Sequence, residues 1–449
     1  MALSYSAYVE TDFGSKIPSH WSTDKIKFCV SYNDESLPET TDPDKELFYV
    51  DISSVDLIQG ITNIEVIPFG KAPSRARRIV RNGDTIVSTV RTYLKAIAPI
   101  KNPPDNMIVS TGFAVIRPKQ NVIPSYLSYY FQSQDFVDAV GANSIGVSYP
   151  AINPSTLVSI PCSYPPDNQE QIKITKFLDY KISQIDRLIE KKKALIENLK
   201  EQRITIINQV VTKGLKPDVP VKNSGFEWLE DVPAHWTLRK MRHLFSFGRG
   251  LGITKSDLRE EGIPCLNYGE IHSKYSFEVI PEKHELKCVA EAYLSEGTSS
   301  LLQYGDFVFA DTSEDIEGAG NFSYMNGHLP TFAGYHTITA KLETNDIPRF
   351  LAYQFDSIMF RHQIRKSVTG VKVFSVTQQI LKGCSVWLPP ESEQLDIVAY
   401  LDTQLNTLDD MLKVNDITID KLNEYRTALI TAAVTGQIDI RSYQIPEEF

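Results

Sequence analysis

Arg75, Arg77, Arg78 and Arg81 lie within seven residues of one another. Arginine at that density suits anions and base edges, because its planar fork grips phosphate and can pair with O6 and N7 of guanine. In an extended segment the alternate positions Arg75 and Arg77 would point the same way. Thr89, Arg91, Tyr93 and Lys95 make a second cluster. Later in the chain the candidates are Arg249, Thr254 and Lys255, around the glycine-rich run Gly248 to Gly252. Arg361, Arg365, Lys366 and Lys372 flank Gly370, opposite Gly146 in the first half. The expected chemistry is contact with the phosphates and bases of DNA; the competing reading is a solvated face laced with salt bridges. Asp311, Glu314 and Asp315 could accept from cytosine N4, but they read first as ordinary surface charge.

Catalytic constellations do not emerge. There is no GxxxxGK[ST] phosphate loop, so no ATP site is expected. Asn102-Pro103-Pro104-Asp105 is similar to a motif of amino-methyltransferases, in which an aromatic residue follows the prolines and stacks on the flipped base. Here Asp105 stands in that place and no glycine-rich cofactor loop precedes it, so the segment reads as a surface turn. Glu285-Leu286-Lys287 could be half of a metal-nuclease motif, without an obvious upstream acid. His20 and His235 stand beside Trp21 and Trp236 at equivalent places, which favours packing. No catalytic residue, metal ligand or cofactor is therefore expected in this chain.

The chain has 449 residues, 42% of them apolar and 23% charged. That predicts two to four soluble domains. No apolar run is long enough to span a membrane, and Met1 to Tyr8 does not read as a signal peptide. Cys29, Cys162, Cys265, Cys288 and Cys384 are scattered and form no CxxC, so a reducing cytoplasm is the expected location. The net charge of −10 argues weakly against nucleic acid, which leaves local clusters to carry any such surface.

These residues sit in a chain that repeats itself. Ile17-Pro18-Ser19-His20-Trp21 returns as Val232-Pro233-Ala234-His235-Trp236. Asn82-Gly83-Asp84 returns as Tyr304-Gly305-Asp306, and Thr111-Gly112-Phe113 as Ala333-Gly334-Tyr335. Pro124-Ser125-Tyr126-Leu127-Ser128-Tyr129 returns as Pro348-Arg349-Phe350-Leu351-Ala352-Tyr353. Pro165-Pro166, Glu170-Gln171, Leu178-Asp179 and Val211-Thr212 return as Pro389-Pro390, Glu393-Gln394, Leu401-Asp402 and Val434-Thr435. A unit of half the chain is used twice.

Each unit has two parts. Residues 1–166 and 217–390 read as mixed globules. Strands are expected at Asp84 to Val90 and Phe113 to Ile116, and helices at Pro124 to Val140 and Pro348 to Ile364, each opening at a proline. Residues 167–216 and 391–440 read as long helices, ahead of a short tail, 441–449. Their apolar positions step by four and three, through Leu178, Ile182, Ile185, Ile189, Ile196 and Leu199, and through Leu401, Leu405, Leu408, Leu412, Ile419 and Leu422. That is a heptad seam. Residues 167–216 carry net charge +4 and residues 391–449 carry −8, which favours pairing of the two helices with each other. The fold class is thus α+β: two tandem-duplicated mixed globules separated by two long antiparallel coiled-coil helices. Similar globules related by approximate two-fold symmetry would suit equivalent groove faces of B-DNA, and their divergence would suit a split, asymmetric site.

The duplicated series from Pro165-Pro166 to Val211-Thr212, with Ile185-Asp186, Lys200 and Arg203, resembles the helical region of type I restriction–modification specificity subunits. Its second copy, with Leu408-Asp409, Arg426 and Gly436, matches almost as well. Ala72 to Arg78, Gly83-Asp84, Ser110 to Phe113 and Gly262 to Ile271 also resemble that family's target-recognition domains. Asn267 and Tyr268 join the DNA candidates on that ground. The departures are Lys213-Gly214 against Gly436, and Asn415 against Lys192. The resemblance implies a non-catalytic subunit that reads bipartite double-stranded DNA, one half per globule, across a gap set by the helices. It implies two modification subunits as partners, with restriction and translocase subunits in addition. S-adenosylmethionine, ATP and magnesium would belong to those partners. The alternatives are a protein-interaction scaffold on a coiled-coil rod, slightly favoured by the acidic total, and a self-sufficient DNA methyltransferase, disfavoured by the missing cofactor loop.

Overall fold

A computed structural model describes residues 4–11, 16–226, 229, 231–370 and 372–446. It contains two compact units, Met1–Lys193 with Asp416–Phe449, and Ala194–Asn415. The units do not break where globule meets helix. Each combines one globule with the first part of one long helix and the last part of the other.

In unit 1, strands Ile97–Pro99, Thr85–Ser88, Phe113–Pro118 and Val30–Tyr32 form an antiparallel sheet in that order. A second sheet runs Glu65–Pro68, Glu46–Val50, Met107–Ser110, Ala76–Ile79, with its middle pair parallel. Unit 2 repeats the plan. Phe245–Arg249, Thr337–Leu342, Phe307–Ala310 and Phe322–Met325 form one sheet, to which Phe277–Val279 adds an edge. Cys288–Val289, Ile263–Leu266, Thr331–Ala333 and Leu301–Leu302 form the other, again with a parallel middle pair. All five cysteines are buried thiols, and burial pushes Cys265 and Cys384 up to about 12.

The expected helices of the globules are each broken once. Pro124–Gln132 stops at Ser133 and Gln134–Ala142 begins; Pro348–Asp356 stops at Ser357 and Ile358–Arg365 begins. Both serines leave helical geometry and accept from the amide three residues on, Phe136 and Phe360. A serine that caps the next helix turns the chain without any proline or glycine signal.

The long helices run Asn168–Lys213 and Glu391–Val434. Leu178, Ile182, Ile185 and Ile189 share the core of unit 1 with Ile419, Leu422, Leu429 and Ile430. Leu199, Ile207 and Val210 share that of unit 2 with Leu401, Leu405, Leu408 and Leu412. In each unit an early stretch of one helix therefore meets a late stretch of the other, which is antiparallel pairing. Opposite charges accompany it: Asp186 lies 3.3 Å from the buried Arg426 in unit 1, and Arg203 lies 3.8 Å from Asp409 in unit 2. Ile196, the remaining seam position, is buried as well. Among the described residues no helix is long and apolar enough to cross a membrane.

Candidate nucleic-acid interface

The repeated motifs are the joints that fix each globule to the helices. Glu170, buried at the start of the first long helix, accepts from Trp21 Nε1 at 3.1 Å and Tyr5 Oη at 2.8 Å, and lies 2.9 Å from His20 Nε2. Glu393 holds Trp236 Nε1 at 3.2 Å and His235 Nε2 at 2.7 Å. Gln171 donates to the Pro165 carbonyl at 2.9 Å and accepts from the Ile123 amide at 2.8 Å. Gln394 does the same with Pro389 at 3.0 Å and Ile347 at 2.8 Å. Asp179 accepts from Tyr129 Oη, and Asp402 from Tyr353 Oη. Gly83 and Gly305 share a left-handed φ of +90°, and a Cβ on either would meet Pro124 or Pro348. The two histidines are therefore anchors.

What these joints present differs between the units. In unit 1, Arg75 occupies a turn just before strand Ala76–Ile79, outside the period-two register. It pairs with Asp51 at 2.9 Å and donates to Tyr49 Oη. Burial works against the charge of Asp51, yet Tyr49, the Ser53 amide and Arg75 together hold its carboxyl below the usual range. Arg77 goes elsewhere. Its guanidinium lies 4.5 Å from the centre of the Phe69 ring and donates to the Ala76 carbonyl at 2.9 Å. Arg78 is half-buried with a buried Nε that meets no acceptor, and burial pushes its guanidinium down. Arg81 pairs with Glu35 at 2.7 Å, beside Arg117, which binds both Glu35 and Asp84.

The second cluster forms a projecting loop. Arg91 and Lys95 both take left-handed φ of +51° around the short helix Thr92–Leu94. Arg91, Tyr93 and Lys95 are exposed, whereas Thr89 is buried and donates to the Gly112 carbonyl at 2.8 Å. Arg75 and Arg91 line one pocket with Asp51 and Leu94. This shared concavity was not legible in the sequence, because it joins residues from separate loops.

In unit 2 the equivalent loop, after Phe307–Ala310, is acidic: Asp311, Glu314, Asp315 and Glu317 stand where unit 1 has Arg91 and Lys95. Arg365 pairs with Glu317 at 2.8 Å, and Arg361, largely buried, bonds Asn321 at 2.6 Å and Asp356 at 3.1 Å. These two arginines hold the acidic loop in place. Asn267 is also buried; its side chain and that of Glu270 form a capping box at the start of helix Tyr268–Ser273. Thr254 caps Lys255–Asp257 in the same manner, and its amide and hydroxyl hold the Asp257 carboxyl below the usual range. Arg249, Lys255, Lys366 and Lys372 are exposed. Half-buried Tyr268 meets Tyr335 and His336 edge-on at 5.6 and 5.4 Å. His336, at φ +55°, lies 3.2 Å from Asp311, and His272 Nδ1 accepts from Asn321 Nδ2 at 2.9 Å. Sequence reasoning missed both histidines. Their only signal is that His336 follows the repeated Gly334-Tyr335 pair.

Residues 73–198 match the family model described as the type I restriction modification DNA specificity domain. The MjaVIII specificity subunit of Methanocaldococcus jannaschii is 21% identical over 98% of this chain and 99% of its own. The MjaIX specificity subunit of the same organism is 28% identical over 56% of this chain, and the match spans 57% of that subunit. A solved chain from work on complex assembly and conformational transition of a type I R-M system superposes with a TM-score of 0.75 at 22% identity, over 94% of this chain and 100% of that one. The HsdS subunit from Thermoanaerobacter tengcongensis gives 0.53, also at 22%, over 94% and 99%. At such identities the two structures speak for the fold.

Proposed function

Since the chain belongs to the specificity subunits of type I restriction–modification systems, we propose that each of its globules reads one half of a split, asymmetric DNA sequence. The carrying observation is one globule plan used twice, locked to two long helices by the same contacts, with differently charged loops at equivalent places. Joints built on the same residue pairs preserve placement while the loops diverge, which is what two unlike half-sites require. In unit 1 the reading residues are Arg75, Arg91, Tyr93 and Lys95. In unit 2 they are Arg249, Lys255, Lys366, Lys372 and the Tyr268–His336 group, with Asp311 and Glu314 as acceptors for cytosine N4. A specificity subunit that matches over 98% of this chain favours this function over a protein scaffold and over a self-sufficient methyltransferase.

The helices set the interval between half-sites and dock two modification subunits. A cleft in unit 1 between Asn82, Ser125, Tyr129, Asp186 and Arg426 marks a globule–helix junction available to the same partners. S-adenosylmethionine, ATP and magnesium act on the modification and restriction subunits, in the cytoplasm. Coexpression with the products of neighbouring genes tests this. Mass determination should find two modification subunits on one chain, and sequencing should find methylated adenines at one split motif. A chain that purifies alone and leaves methylation unchanged refutes the reading.

A further inference from the structure

On the reading that unit 1 binds DNA, we propose that the hairpin tip formed by residues 145–149 is an apolar wedge that opens a base step within its half-site. Ile145 is 82% exposed, Val147 100% and Tyr149 67%. Three such side chains in five residues are an exposed patch that water alone does not favour. The tip is also built. Ile145 and Ala151 exchange two backbone hydrogen bonds, 2.8 and 3.0 Å long. Gly146 turns the chain at φ +113°, where a Cβ would stand 3.2 Å from the Tyr149 carbonyl.

The base of the hairpin is tied to the basic loop. The Thr92 amide donates to the Pro150 carbonyl at 3.2 Å, and Thr92 Oγ1 lies 2.9 Å from Ser144 Oγ. The Arg91 guanidinium lies 5.2 Å from the centre of the Tyr149 ring. An apolar tip is thus held beside cations. A duplex offers the complement of both: phosphates for Arg91, and stacked base faces for Ile145 and Val147. Proteins that enter the minor groove insert apolar side chains between base pairs in this way and kink the helix. After Gly370 the second half reads Val371-Lys372-Val373 where the first reads Val147-Ser148-Tyr149, so a lysine interrupts the apolar run there and no aromatic ends it.

The test uses the assembled complex and duplexes with 2-aminopurine at successive positions of the half-site. The unaltered complex should raise the fluorescence at one step. Replacing Ile145→Ser and Val147→Ser together should abolish that rise and weaken binding about ten-fold. An abasic site at the opened step should return the variant to within about two-fold of the unaltered protein. Equal losses on intact and abasic duplexes overturn the wedge. So does a loss reproduced by replacing thymine with uracil while stacking stays intact, which means a groove-edge contact. A variant that no longer retains modification subunits shows a protein partner and overturns it too. Specific binding without any fluorescence rise removes the wedge alone, whereas no specific binding by the unaltered complex removes the DNA-reading function and the wedge together.

Discussion

Arg75 and Arg77 differ by two positions and by what holds them. Arg75 shares a pocket with Arg91 and is balanced by Asp51 at its rim, so a phosphate would compete for a guanidinium already directed outward. Arg77 is folded over Phe69, and its loss removes packing. Replacing Arg75 and Arg91 by Ala should therefore weaken DNA binding by the complex and reduce the slope of log K against log salt by about two, near 0.9 per phosphate released. Unchanged affinity and slope would remove the pair from the interface. Arg77→Ala should leave the slope alone and cost about 1 kcal/mol of stability. Acid tests the neighbouring ion cluster. Hydrogen bonds from Arg81 and then Arg117 hold the Glu35 carboxyl below its ordinary 4.5. A depressed carboxyl stabilises the fold in full above the unfolded value and loses that contribution as pH falls through the folded one. Stability should thus drop with acid below about 4.5, and Glu35→Gln should flatten that drop in unfolding curves measured at successive pH values.

The long helices were legible because two constraints coincide in their sequence, a seam repeating by four and three and an opposite net charge on the two stretches. Their joints were legible only as repeats. Nothing in Glu170-Gln171 says that the glutamate binds Trp21 or that the glutamine binds the amide before Pro124. The breaks at Ser133 and Ser357 were invisible for a related reason: apolar periodicity continues across them, and a serine cap weighs little against it. Asn267 shows the same limit, since a cap and a base-reading side chain have one appearance in sequence. The joints are unequal, and that can be measured. Glu170 is buried and serves Tyr5, His20 and Trp21, whereas Glu393 is partly exposed and serves His235 and Trp236. Removing an acceptor from buried donors costs about 1–3 kcal/mol, less where water replaces it. Glu170→Ala should lower hydrogen-exchange protection of the first helical turns by about 3 kcal/mol and Glu393→Ala by about 1 in the second. Equal losses would mean that Tyr5 and the deeper burial of Glu170 contribute nothing.

At the scale of the whole molecule, the same seam decides which pieces can exist alone. Unit 1 contains residues from both ends of the sequence: its core joins Leu178, Ile182, Ile185 and Ile189 to Ile430, Ala433 and Val434. The Tyr126 hydroxyl donates to the Val434 carbonyl at 3.0 Å, and Arg426 has Asp186 as its partner. A chain ending at residue 216 keeps the whole first globule and the first long helix but lacks all of these late residues. At least these four seam positions, and Ile196 and Leu199 farther along the helix, would then face water, each losing about 1.5–3 kcal/mol of burial. That total is comparable with the whole stability of a typical domain. Such a fragment should not behave as a monomer. A second copy can offer an antiparallel helix in place of the missing one, and Arg203 stands at the seam place of Arg426. Light scattering should therefore find dimers or larger species at micromolar concentration, with hydrogen exchange along the helix slowed as concentration rises. A stable monomer with a protected helix would show that the late segment is not required to cover the seam.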